Sequence, residues 1–158
     1  MTSRDVFAVG TIGLSLIAGG HCGSLRCVEV NGAGRAAFDL SVQQLPLMAR
    51  ALPLSYHVCA ASESAPEWLS DADVIIVDPP RKGLETALIE TLVNTASGVR
   101  SQAGARRLIY LSCGFTSLLR DLDALTSGQR WEISHAQAFV FFPGTDSLET
   151  LVVLDEVT

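Results

Sequence analysis

The chain has 158 residues and a net charge of −6, with 48% hydrophobic and 18% charged residues. That length and composition fit a single globular domain with a substantial core and exclude a disordered chain. The acidic balance argues against a chain that grips nucleic acid by itself, because phosphate contacts need clustered positive charge.

The elements follow in chain order as short β-rich runs alternating with helical patterns, the mark of an α/β fold with a mainly parallel sheet. Val6–Val9 reads as the first strand, followed by Gly10-Thr11-Ile12-Gly13 and an apolar helix to about Ala18. Leu25–Val30 is the second strand, and a helix is predicted over roughly Gly34–Ala51. Ser55–Cys59 is a weaker third strand, and Val74–Val77 a buried fourth that stops at Asp78-Pro79-Pro80. Leu84–Thr95 has helical spacing, Arg107–Leu111 is the fifth strand, and Leu118–Leu125 the next helix. Trp131–Phe141 and Glu149–Leu154 are the sixth and seventh strands. Their connection has no room for a helix, so they must pair as an antiparallel hairpin at a sheet edge. Gly98–Gly104 is the most polar loop and is expected to be mobile.

Val74–Val77 and Leu148–Leu154 are too short or too charged to cross a bilayer, so no membrane partner is expected. The first five residues, Met1-Thr2-Ser3-Arg4-Asp5, lack the basic and apolar regions of a signal peptide. An intracellular location is expected, in the cytoplasm or an organelle such as the mitochondrion. Cys22, Cys27, Cys59 and Cys113 show no zinc-ligand spacing, so free thiols and no metal are expected.

Three places can carry chemistry. Gly10 and Gly13 lie at the carboxyl end of a strand, where backbone approaches closely and a helix N-terminus favours anionic groups. Glu29 ends the second strand 19 positions after Gly10, suited to ribose hydroxyls. A tight strand–helix turn and a surface glutamate would give the same spacing. Next, Asp78-Pro79-Pro80-Arg81 ends a strand abruptly and projects a carboxylate and a guanidinium from a stiff loop. Last, Cys113 stands at the end of a buried strand over a helix N-terminus, a place for a nucleophile or for an ordinary buried cysteine.

Ile76-Val77-Asp78-Pro79-Pro80-Arg81-Lys82-Gly83-Leu84 is the first of three ordered blocks. The second is Tyr110-Leu111-Ser112-Cys113 with Leu118 and Arg120-Asp121-Leu122. The third is Phe142-Pro143 with Thr145 and Glu149-Thr150. Together they resemble the S-adenosylmethionine-dependent RNA (uracil-C5)-methyltransferases, and Gly10 to Asn31 is similar to that family's cofactor-binding half. The resemblance implies a Rossmann-like class I methyltransferase fold, with a seven-stranded, mostly parallel sheet and a C-terminal antiparallel hairpin. It also implies that residues 1–158 are one catalytic domain, without the family's N-terminal RNA-binding barrel and central segment.

What the resemblance implies chemically is specific. The thiolate of Cys113 adds to carbon 6 of uracil, carbon 5 takes the methyl group of S-adenosylmethionine, and Glu149 then removes the carbon 5 proton. Gly10, Gly13, Glu29 and Asp78 would bind the cofactor and Arg81 the substrate. The RNA, transfer or ribosomal, would be held with the help of another domain or protein chain. The sequence departs from the family in three places. The loop at Val9-Gly10 is one residue short and lacks the first glycine, Gly114-Phe115 replaces Asn-Pro, and Gly144 and Ser147 replace a polar residue and a histidine. An alternative therefore stays open: a catalytically degenerate subunit with an assembly role in an RNA–protein complex such as a ribosome.

Overall fold

A computed structural model describes residues 5–7, 10–63, 69, 72–94, 105–145 and 148–157. The polypeptide forms two compact units, divided between Ile75 and Ile76, with Ala105 belonging to the first.

The first unit contains β1 (Asp5–Phe7), α1 (Gly10–Ala18), β2 (Ser24–Glu29), α2 (Gly34–Gln44), α3 (Leu47–Arg50) and β3 (Leu54–Val58). The opening residues of β4 (Val74–Val77) complete it. Its strands run β3-β2-β1-β4 and every described pairing is parallel. Leu25 and Cys27 alternate inward along β2, which packs on α1, where Gly13, Leu14 and Ile17 are buried. A Cβ at Gly13 would collide with the Leu25 side chain, so glycine sets how closely this helix lies on its strand. Burial pushes the Cys27 thiol up to about 12, which makes it an inert core residue.

The single helix expected over Gly34–Ala51 is two helices. Pro46 has no N–H to extend α2 and forces Leu45 out of the helical region, to φ −64° and ψ 154°. The short α3 starts afresh beyond it.

The second unit holds the end of β4, α4 (Thr86–Asn94), β5 (Arg107–Ser112), α5 (Phe115–Ser127), β6 (Trp131–Phe139) and β7 (Glu149–Glu156). Here the order is β5-β7-β6 and both pairings are antiparallel, with an irregularity between Ile133 and His135. The C-terminal hairpin is as expected, with β7 returning between β5 and β6. Leu118, Asp121, Leu122 and Leu125 form the buried stripe of α5 at helical spacing. With Leu108, Tyr110, Val152, Leu154 and Leu92 they make the core of this unit. Each fully buried leucine contributes on the order of 2 kcal/mol. Trp131 Nε1 and Arg130 Nη1 both donate to the Leu92 carbonyl, at 3.0 and 2.7 Å, which ties the start of β6 to α4.

The α/β class holds, with parallel pairings in the first unit and antiparallel pairings, closed by the C-terminal hairpin, in the second. The boundary between the two units falls inside β4. Residues 98–104, Val9 and Ser147 lie outside the described residues. Among the described residues no helix is long and apolar enough to cross a membrane.

Candidate active site

A cavity of about 570 Å³ opens in the first unit, within the size range of small-molecule sites. Gly10 and Glu29 both line it, together with Asn31, Phe38, Leu45 and Tyr56. Gly10 starts α1, whose first N–H groups have no partner within the helix. Glu29 ends β2 and accepts from the Asn31 backbone N–H at 3.2 Å. The Asn31 side chain accepts from Ala33 N–H at 3.0 Å, and its carbonyl accepts from the Tyr56 hydroxyl at 3.2 Å. Burial, and then the nearby Glu29 carboxylate, raise the Tyr56 hydroxyl above its ordinary pKa. Gly13 does not line the cavity; its role is the packing against Leu25.

Phe38 and Tyr56 carry no motif in the sequence, and Asn31 enters only as the last residue of the block that resembles the cofactor-binding half. They meet because parallel pairing sets Tyr56 beside Cys27, two residues before Glu29 and on the same face. Phe38 then packs on the Tyr56 ring with centroids 5.2 Å apart.

In the second unit the register of β5 with β7 runs from Arg107 opposite Asp155 to Ser112 opposite Thr150. The ladder ends there: Cys113 is the first residue beyond β5, and Glu149 is the residue before Thr150 at the start of β7. Both are half-buried, and Glu149 is in turn paired with Phe139 of β6. Directly opposed residues face the same side of a sheet, so Glu149 and Phe139 share one face, at the end of the ladder that Cys113 also adjoins. Ser112 and Thr150 face the other way and are buried; the Thr150 hydroxyl oxygen has no hydrogen-bond partner.

The Cys113 turn is held by its neighbours. Gly114 N–H donates to Ser112 Oγ at 3.1 Å, and Leu118 N–H donates to Gly114 O at 3.0 Å as α5 begins. Ser117 Oγ donates to the Arg81 carbonyl at 2.6 Å, which latches the loop from Asp78 to Leu84 onto the same helix start. A Cβ at Gly114 would meet Arg81 O at 2.5 Å. The departure from the family's asparagine is thus matched by a close approach of backbone to backbone. Asp78 and Arg81 are exposed, and Arg81 reaches the Cys113 turn through its main chain.

Asp121 anchors that loop. Its side chain is 0% exposed and accepts from the Tyr110 hydroxyl and from Leu84 N–H, both at 2.7 Å on Oδ2. Arg120 donates to its Oδ1 and also to the Lys82 carbonyl at 2.9 Å. Burial, followed by the bond to Asp121, pushes the Tyr110 hydroxyl far above its ordinary range. Gly83 turns the loop at φ +86°, and a Cβ there would collide with Asp121 Oδ2. Gly83→Ala is therefore expected to cost at least about 2 kcal/mol, from the strained φ and the displaced carboxylate, read as a lower urea midpoint at unchanged slope. An unchanged midpoint would show that the loop is not held as described. Arg120-Asp121 belongs to the second sequence block, but its anchoring role arises from contacts with Tyr110, Lys82 and Leu84 that lie far from it in sequence.

Among the described residues no cluster of His, Cys, Asp or Glu is placed to hold a metal ion. The four cysteines are all free.

The fold is that of Rossmann-like methyltransferases. The crystal structure of Pyrococcus abyssi tRNA (uracil-54, C5)-methyltransferase with S-adenosyl-L-homocysteine superposes with a TM-score of 0.72 at 22% identity, over 98% of this chain and 34% of that one. A Streptococcus thermophilus rRNA methylase gives 0.68 at 11% identity, over 100% and 90%. Residues 69–157 match the sequence profile of the tRNA (uracil-5-)-methyltransferases, and the chain belongs to that family. An uncharacterized RNA methyltransferase of Protochlamydia amoebophila is 35% identical over 150 residues, 93% of this chain and 35% of that protein. One from Thermosynechococcus vestitus is 33% identical over 149 residues, 92% and 29%. The chain thus spans about a third of the length of these curated relatives.

Proposed function

We propose that this chain is the catalytic part of an RNA (uracil-C5)-methyltransferase, moving a methyl group from S-adenosylmethionine to uridine in transfer or ribosomal RNA. The observation that carries the reading is that Cys113 and Glu149 both adjoin the last pair of the β5–β7 ladder, Ser112 with Thr150. It supports an active enzyme over an assembly subunit, since the two residues to which the reading gives direct chemical roles lie at the same end of that ladder.

The first unit fits the cofactor. Gly10 leaves the start of α1 open to a carboxylate, and Glu29 offers an acceptor for ribose hydroxyls in a cavity of suitable volume. When bound, S-adenosylmethionine supplies the methyl group that carbon 5 of uracil accepts. Asp78 is assigned to seating the cofactor or base, and Arg81 to the RNA; Gly13 supports α1 from beneath.

The chain's own residues do the rest. The Cys113 thiolate adds to carbon 6, which makes carbon 5 nucleophilic. Glu149 takes the proton from methylated carbon 5, and the electron pair left behind re-forms the double bond as the thiolate departs. The target base must leave its stack to reach them. A further domain or chain is assigned to gripping the RNA, given the net charge of −6.

Calorimetry with S-adenosylmethionine is the first test, and a saturable heat at micromolar to millimolar cofactor is expected. RNA containing 5-fluorouridine should then leave a denaturation-resistant adduct, because fluorine at carbon 5 cannot be removed as a proton. No cofactor binding, or no adduct with cofactor bound, refutes the reading for this chain.

A further inference from the structure

The β6–β7 connection carries an aromatic ledge that the chemistry above does not use. Phe139 and Phe141 lie with ring planes 6° apart and centroids 5.9 Å apart. Phe141 is 63% exposed and Phe142 65% exposed, although both are large apolar side chains. The turn that follows holds this presentation. Thr145 N–H and its hydroxyl both donate to the Phe142 carbonyl, at 3.2 and 2.9 Å, and Gly144 supplies the left-handed position at φ +86°. Val140 to Thr145 contains no charged residue.

The position of the ledge is what gives it meaning. Phe139 pairs with Glu149, beside the Ser112–Thr150 pair that Cys113 also adjoins. Neighbouring strands lie about 4.8 Å apart, so β6, which carries Phe139, runs about 10 Å across the sheet from β5. A short single-stranded segment flanking a base held against Cys113 spans that separation. Exposed positive charge is also at hand, since Arg81 and Lys82 belong to the loop whose backbone abuts Gly114.

We infer that the outer face of the Phe139–Phe141 pair is a stacking platform for an unpaired RNA base next to the target uridine. The inference rests on the transferase reading and adds the substrate contact that reading lacks. Every base has a π-face, so a parallel aromatic pair extends its stack by one ring without needing a particular sequence. An aliphatic side chain gains only its buried apolar area on such rings, whereas a base gains that area and a stacking contact on the parallel faces. RNA is therefore the occupant, and the flanking phosphates meet Arg81 and Lys82.

The test is fluorescence anisotropy of a short labelled oligouridylate with the whole chain and three variants. Phe141→Ala is expected to weaken binding at least about fivefold, with unchanged melting because the ring is exposed. Phe141→Trp should bind at least as tightly as the wild type, and Phe141→Leu should behave like Phe141→Ala. Wild-type affinity in Phe141→Ala, or rescue by leucine, would overturn the platform. So would a self-associated wild type that Phe141→Ala converts to monomer, since a second copy would then occupy the ledge. Failure of the wild type to bind the oligouridylate also overturns it. Phe141-dependent RNA binding without any 5-fluorouridine adduct sinks the transferase reading and leaves the platform standing.

Discussion

Cys113→Ala should form no covalent adduct with 5-fluorouridine RNA and should lose methyl transfer by at least about 10⁴-fold, because the step that makes carbon 5 nucleophilic has no substitute nearby. Glu149→Gln should behave differently. Its thiol still adds to carbon 6, but the methylated intermediate keeps its carbon 5 proton and cannot release the enzyme. Turnover should fall by about 10² to 10⁴, the usual value of a positioned base, while an adduct accumulates on ordinary uridine RNA. Mass spectrometry of the denatured protein reads both results. A Glu149→Gln protein that releases methylated RNA at the wild-type rate would remove Glu149 from the mechanism, and an undiminished adduct in Cys113→Ala would remove the cysteine.

The second large effect lies behind the site. Asp121→Ala leaves the Tyr110 hydroxyl and Leu84 N–H without an acceptor inside the protein. Each orphaned buried donor costs about 1 to 3 kcal/mol, so about 3 kcal/mol of stability should be lost. The ion pair with Arg120 adds little to this, since that arginine is 61% exposed and well screened. For a chain of this length the melting temperature should fall by about 10 °C. Tyr110→Phe removes one donor together with its need for a partner and should cost about 1 kcal/mol. Equal losses in the two variants would show that the carboxylate does not serve several partners at once.

Local signals carried much of this architecture. Val74–Val77 is visible as a bare apolar run closed by two prolines, and the final hairpin follows from a connection too short for a crossover. Cys113 and Glu149 stand out through the ordered blocks around them. Pro46 was equally visible, yet the helical spacing on either side of it masked the break. What could not be read depends on pairing across sequence distance. Tyr56 reaches the cavity only through its register with Cys27, and Asp121 is an ordinary helical aspartate until Tyr110 and Leu84 close over it.

The pairing of Glu149 with Phe139 at the start of β7 has a bearing on how relatives of this chain can diverge in length. Adding or removing residues between Phe139 and Glu149 lengthens or shortens a loop and leaves the β5–β7 pairing untouched. A slip of one residue within β7 is another matter, because every side chain changes face. Thr150 would then take the place of Glu149, a hydroxyl where the proposed reaction needs a carboxylate. Length changes are therefore tolerated in the loop after Thr145, whereas β7 admits no insertion or deletion that keeps Glu149 opposite Phe139.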